Sequence, residues 1–192
     1  SYPAFFDVLN EFLSEHSTIE IDICESVLNG GWEALEQGRV DVIVGSPGPV
    51  PLQKGYRAIP LARLDLIPVI SASHELADLV SQPEAFSAAL PKIRRVITHD
   101  TSTLDVARSA GLGSEGQAFY VQNIDQKVAA ILAGIGVGHL PRQRIHQHLN
   151  KGKFIQLELE KGPVHENYLA WKISNKGKGL QTLSQRLSAA LG

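Results

Sequence analysis

The residues with the most usable chemistry stand in short polar runs, each placed directly after an apolar, strand-like stretch. Thr98, His99, Asp100, Thr101 and Ser102 close the stretch 95–98, and Gln122 and Asn123 follow 118–121. Nearer the start, Glu25, Ser26, Val27 and Leu28 follow residues 19–25, and Gly45, Ser46 and Pro47 end residues 40–45. Hydroxyls, amides and helix N-termini hold a polar or anionic small molecule without a full counter-charge. The candidate ligand contacts are therefore Ser26, Leu28, Ser46, Pro47, His99, Asp100, Thr101, Ser102, Gln122 and Asn123. Several have a plainer role open to them, because Thr101, Ser102 and Asn123 can simply cap helices.

Other chemistries find less support. Gly111-Leu-Gly-Ser-Glu-Gly116 has the letters of a dinucleotide fingerprint, but it follows a helix and precedes a strand, the reverse of the required context. Of seven histidines, His146 and His148 are two apart on a predicted helix and point to different faces. No H-E-x-x-H pattern or Cys/His cluster occurs, so neither a metal nor a cofactor is expected. A nucleophile elbow is also missing, and no enzyme is expected, although Ser46, His99 and Asp100 are the side chains a hydrolytic site would have to bring together. The single cysteine, Cys24, excludes an intrachain disulfide framework.

The chain has 192 residues, 43% hydrophobic and 20% charged, enough for a sizeable core. Its formal net charge of −2, with Lys and Arg scattered, argues against nucleic-acid binding by these residues. No apolar run approaches the roughly 18 residues of a membrane span. With no signal-peptide pattern, the expected location is cytoplasmic. The lack of methionine, even at position 1, reads as a fragment of a longer chain.

The elements that must position these residues centre on residues 123–144, NIDQKVAAILAGIGVGHLPRQR. Asn123 or Asp125 can cap a helix whose apolar face carries Val128, Ile131 and Leu132. The glycines of Gly134-Ile-Gly-Val-Gly138 permit a helix stop and tight backbone approach. Ile135 and Val137 read as a short buried strand, and Pro141 suits the first turn of a new helix. Helix, strand and helix in so short a stretch predict a parallel α/β sheet. Elsewhere, helices are expected over 3–16, 28–37, 74–79, 84–90, 104–110, 142–149 and 180–191. Strands are expected over 19–25, 40–45, 56–71, 95–98, 118–121, 154–159 and 168–173, with 46–51 a loop. The expected architecture is α/β, two Rossmann-like subdomains joined by two crossovers, with 1–71 plus 167–192 in the first and 72–166 in the second. Strand carboxyl ends would then line a cleft.

Four patterns in order carry a resemblance. They are the opening helix PAFFDVLNEFLSEH; Trp32-Glu-Ala-Leu-Glu-Gln-Gly-Arg-Val-Asp-Val-Ile-Val-Gly45; Pro60-Leu61 with residues 64–71 and His74-Glu-Leu-Ala77; and the Gly134–Pro141 stretch. Together they resemble the effector-binding domain of LysR-type transcriptional regulators over essentially the whole chain. Within that family, DQKVAAILAGIGVGHLP with HDTSTLDVARSAG upstream looks closest to a group that includes activators of allantoin and purine utilisation.

The resemblance implies a type 2 periplasmic-binding-protein-like fold and a sensor that binds a small polar metabolite, its effector, between the subdomains. It also implies a homodimer through this domain, a tetramer in the full-length protein, and DNA contact only through an N-terminal winged helix-turn-helix domain. That domain and the first strand of the sheet are not in this sequence. Phe5, Phe6 and Phe12, with the helix from Leu104, are candidate association surfaces unless they pack internally. The family often places an arginine where Ser46 stands, and its replacement argues against a strongly anionic ligand. The alternatives are a periplasmic-type solute-binding protein for a small polar metabolite and an α/β enzyme using the same cleft.

Overall fold

The structure is a computed structural model, and it describes residues 2–52, 55–99, 116–159 and 166–192. In chain order the elements are α1 (Tyr2–Glu15), α2 (Gly30–Glu36), β1 (Val42–Pro47), β2 (Tyr56–Pro60), β3 (Leu66–Ser71), α3 (Pro83–Ala89), β4 (Arg95–Thr98), β5 (Ala118–Val121), α4 (Ile124–Leu132), β6 (Gly138–Pro141), α5 (Arg142–Asn150), β7 (Phe154–Gln156), β8 (Asn167–Lys172) and α6 (Leu180–Leu191). Short 3-10 turns at Ala77–Ser81 and Leu90–Lys92 flank α3. The helix expected over 104–110 lies outside the described residues.

The chain divides into two compact units. One holds the described residues of Ser1–Leu64 and Pro163–Gly192, the other those of Asp65–His99 and Val106–Gly162. The first crossing thus falls at Leu64–Asp65, ahead of the expected Ser71–Ala72 boundary. The reason is pairing: β3 is hydrogen-bonded to β6 and β7 of the second unit.

In the first unit, β8 lies between β1 and β2 and runs antiparallel to both. Leu169 and Ala170 of β8 are fully buried. Val8, Leu61 and Leu187 pack around Leu169, while Trp32, Leu35 and Ile43 pack around Ala170. Trp32 and Leu35 face inward as their spacing predicts. α2 ends where expected: Gly38 takes a positive φ of 71°, its N–H bonds Leu35 O, and Arg39 N–H bonds Ala34 O.

Three expectations need correction here. Residues 19–25 enter no ladder among the described residues, and Ile23 is 54% exposed. Their alternation is real, but a strand exists only where a neighbour satisfies its backbone groups. Ser46 and Pro47 belong to β1 rather than to a loop. The ladder with β8 shifts register between Val44 and Ser46, and Gly45, at φ 82°, absorbs the bulge, so pairing resumes through Pro47. Phe12 is core rather than an association surface, 1% exposed and stacked on His16 at 4.3 Å; Phe6, at 49%, is the exposed member of that helix.

In the second unit the sheet is mixed, where the sequence predicts a parallel one. β4 and β5 are parallel, and a parallel bridge from Arg95 to Val137 joins them to the start of β6. β3 then runs antiparallel between β6 and β7. α4 packs against this sheet through Ile131, with Ile67, Val69, Val96, Leu140 and Ile145 in the same cluster. The far end of α4 is held twice. Gly134, at φ 82°, stops it, with Gly134 N–H to Ile131 O and Ile135 N–H to Ala130 O. Ser71 Oγ donates to Leu132 O at 3.0 Å, and Ser73 Oγ lies 3.3 Å from the same carbonyl and 2.8 Å from Ser71 Oγ.

Candidate functional site

The second unit gathers its described candidates at one end of the sheet. β4 finishes at Thr98, and His99 N–H continues the ladder to Val121 O at 2.9 Å. The His99 ring stacks on Tyr120 with centroids 4.8 Å apart and planes 18° apart, both rings exposed. β5 ends at Val121, and two residues later Asn123 opens α4. Asn123 Oδ1 accepts from Gln126 N–H at 2.9 Å, and Gln126 Oε1 accepts from Gln122 N–H at 2.9 Å. The exchange fixes the first turn of α4, which opens at Asn123, three residues after Tyr120. Removing the cap with Asn123→Ala is expected to lower stability by about 1 kcal/mol in urea denaturation, with Gln126→Ala losing less. Asp100, Thr101 and Ser102 lie outside the described residues.

The first unit offers a different arrangement. Ser46 is 8% exposed, and its hydroxyl sits so close to Gly31 that a methyl there would overlap it. Trp32 Nε1 donates to Pro47 O at 2.6 Å, binding α2 to the end of β1. Leu28 holds a positive φ of 53°, the only described non-glycine residue to do so, and Val27 O accepts from Gly30 N–H. Such a backbone state is costly for leucine, by roughly 1–2 kcal/mol. Ser26 is exposed. Ser46 and Pro47 thus lie against α2, whereas Ser26 is open to solvent.

One residue escaped the sequence reading. Lys127 stands one turn inside α4 and is only 7% exposed. Burial alone pulls its ammonium pKa down from 10.5 to about 8. No described residue accepts a hydrogen bond from it or pairs with it. Its sequence signal was present: position 127 shares a helix face with Ile124, Val128 and Ile131, an apolar stripe that a lysine interrupts. Tyr120 also escaped, since a strand aromatic reads as core until its exposure is known.

The LysR substrate binding domain family matches residues 4–191. The chain belongs to that family. Among relatives, it is 26% identical over 178 residues to the HTH-type transcriptional regulator PunR of Escherichia coli strain K12, covering 92% of this chain and 57% of PunR. It is 26% identical over 155 residues to the HTH-type transcriptional activator AllS of Salmonella typhimurium, covering 80% of this chain and 50% of AllS. The chain spans about half the length of the curated relatives it matches. The regulatory domain of MetR, a LysR family regulator from N. meningitidis, superimposes with a TM-score of 0.68 at 16% identity, covering 98% of this chain and 88% of that one. The fold is accordingly the type 2 periplasmic-binding-protein-like fold of LysR effector-binding domains.

For this LysR-family domain, no group of three His, Cys, Asp or Glu side chains among the described residues can hold a metal ion. No helix among them is long and apolar enough to cross a membrane. Cys24 is free and exposed. His74 is structural: its Nδ1 accepts from Leu76 N–H at 3.0 Å, and burial lowers its pKa, which keeps the ring in the accepting form.

Proposed function

We propose that this domain senses a small metabolite and that the longer protein uses it to control transcription. The observation that carries the reading is the family match across residues 4–191, which covers both units. The polar strand ends of the second unit, with the His99–Tyr120 pair and the α4 N-terminus, supply a site of the right chemistry. Control follows if the ligand binds two arrangements of the protein with different affinity and shifts their populations. DNA contact falls to other parts of the longer protein, because this chain's net charge is −2. The ligand contacts in this reading are Ser26, Leu28, Ser46, Pro47, His99, Asp100, Thr101, Ser102, Gln122 and Asn123. The same reading has the domain working in the cytoplasm, pairing with a second copy, and releasing its ligand unaltered rather than turning it over.

The test is mass spectrometry of small molecules freed by denaturing the purified protein, followed by thermal shift with each compound found. A true effector raises the melting temperature in step with occupancy, by the equivalent of about 2.7 kcal/mol at a hundredfold excess over Kd. Recovery of a chemically changed compound after incubation would favour an enzyme instead. Absence of any binder from a folded protein would end the sensing reading.

A further inference from the structure

The C-terminal end of α4 is held by a turn that one histidine closes. Ser71 Oγ and Ser73 Oγ converge on Leu132 O, and Ser73 N–H donates to Ser71 Oγ at 3.2 Å. His74 follows at once. Its N–H donates to Ser71 O at 3.1 Å, and its carbonyl accepts from Ala77 N–H at 2.9 Å. Its backbone lies against the helix stop, with Cα 3.7 Å from where a Cβ on Gly134 would stand. Across this turn His74 Nδ1 accepts from Leu76 N–H at 3.0 Å.

That bond exists only while Nδ1 keeps its lone pair. A protonated imidazole donates from both nitrogens, so Nδ1–H would then face Leu76 N–H, donor against donor. One of the two groups must give way. Leu76 is packed against the cluster of Ile70, Phe86, Ile93 and Val137, whereas His74 is only partly buried, so the histidine is the one that turns out. Its backbone touches Gly134 and directly follows Ser73, so the displacement reaches both holds on α4. Burial favours the neutral ring, and the Glu75 carboxylate opposes it by favouring the charged one. Around the turn stand Asp78 on the 3-10 turn, Glu84 on α3 and Lys153 ahead of β7. Neither β3 nor residues 129–134 carry a titratable side chain.

We propose that His74 is an acid-released latch on the C-terminal end of α4. Neutral, it closes the turn that holds Ser73 on Leu132 O. Protonated, it opens that turn and loosens the helix end. The domain thereby responds to proton concentration, a property that goes beyond metabolite sensing and stands independently of it. The sign follows from a ring pKa held below 6.5 in the folded state: the latch is whole above 6.5 and is lost as pH falls through that lower value.

The test is NMR titration of the labelled domain from about pH 8 to about pH 4.5, following the imidazole and the backbone amides. The Leu76, Gly134 and Ile135 amides are expected to shift together with the His74 ring, at one midpoint below 6.5. Hydrogen-exchange protection of Ile135 N–H, which donates to Ala130 O, is expected to fall about tenfold below that midpoint. His74→Asn places a side-chain oxygen where Nδ1 accepts and holds the turn at every pH, so the step is expected to vanish while circular dichroism shows the fold kept. Glu75→Gln is expected to keep the step and move its midpoint lower, which separates the ring from its neighbour's own titration. A ring that titrates at 6.5 or above, a shift at Leu76 without Gly134 and Ile135, unchanged protection of Ile135, or a step that persists in His74→Asn would each overturn the latch. A step abolished by Glu75→Gln would do the same. The parent and Glu75→Gln titrations decide the matter even where His74→Asn does not fold.

Discussion

Lys127→Met is expected to stabilise the ligand-free domain by roughly 3 kcal/mol at pH 7, a large gain for one substitution in a marginally stable fold. The lysine's pKa falls from 10.5 to about 8 because burial disfavours the charged form. Below about pH 8 the folded protein carries that charge in a poorly solvated place, whereas the unfolded chain solvates it fully. Between about pH 8 and 10.5 the unfolded state binds more protons than the native state, so the penalty is lost as pH rises. Urea denaturation of parent and variant at pH 7 should therefore show the full gap, and the gap should shrink toward zero near pH 10. The other titratable residues on α4 and the strands packed against it are Asp125, Arg95, Tyr120 and His139, with His99 at the strand end. They are common to both proteins and cancel in the difference. A variant no more stable than the parent at pH 7 would mean that the ammonium is solvated or paired.

Gly136→Ala is expected to do the opposite, costing about 3 kcal/mol or more, the upper end of overpacking. A methyl at position 136 would overlap the carbonyl oxygen of Arg94 and lie 2.8 Å from its carbon. That is backbone and cannot swing aside. The same carbonyl accepts from Val137 N–H at 2.9 Å, and Val96 N–H bonds Val137 O at 2.8 Å. Relief would therefore part β4 from β6 and divide the second unit's sheet at its middle. Gly38→Ala is the control: its φ of 71° brings backbone strain of about 1 kcal/mol, but nothing stands within 4 Å. Thermal melts of the two variants should differ clearly, with Gly136→Ala the lower. Equal melting temperatures would show that β6 shifts freely.

The glycine stretch was the most legible part of the chain, because each glycine answers to one local demand. Gly134 stops α4, and Gly136 and Gly138 admit the backbone of β4. The bounds of β4, β5 and α6 agree with periodicity and punctuation for the same reason. The run 19–25 misled because alternation records which face a side chain prefers, not whether another strand is present to pair. The sheet of the second unit was read as wholly parallel because local order tells that strands follow helices, whereas β3 reaches β6 and β7 across long stretches of sequence. In the candidate site, Asn123 was legible as a cap from its type and place. Lys127 was passed over although it interrupts an apolar stripe, because charge is ordinarily a mark of exposure and its burial shows only in the packed structure.

The two serine hydroxyls gathered on Leu132 O give α4 a mechanical character. One end of the helix begins at the candidate site, and the other is gripped by Ser71 and Ser73, a few residues beyond the crossing at Leu64–Asp65. Nine residues of helix, about 14 Å, separate the two ends. Both ends are locked, so the helix transmits axial displacement as a strut rather than absorbing it by fraying. A pull on the first turn is delivered to the carbonyl that those serines hold, at the end of β3.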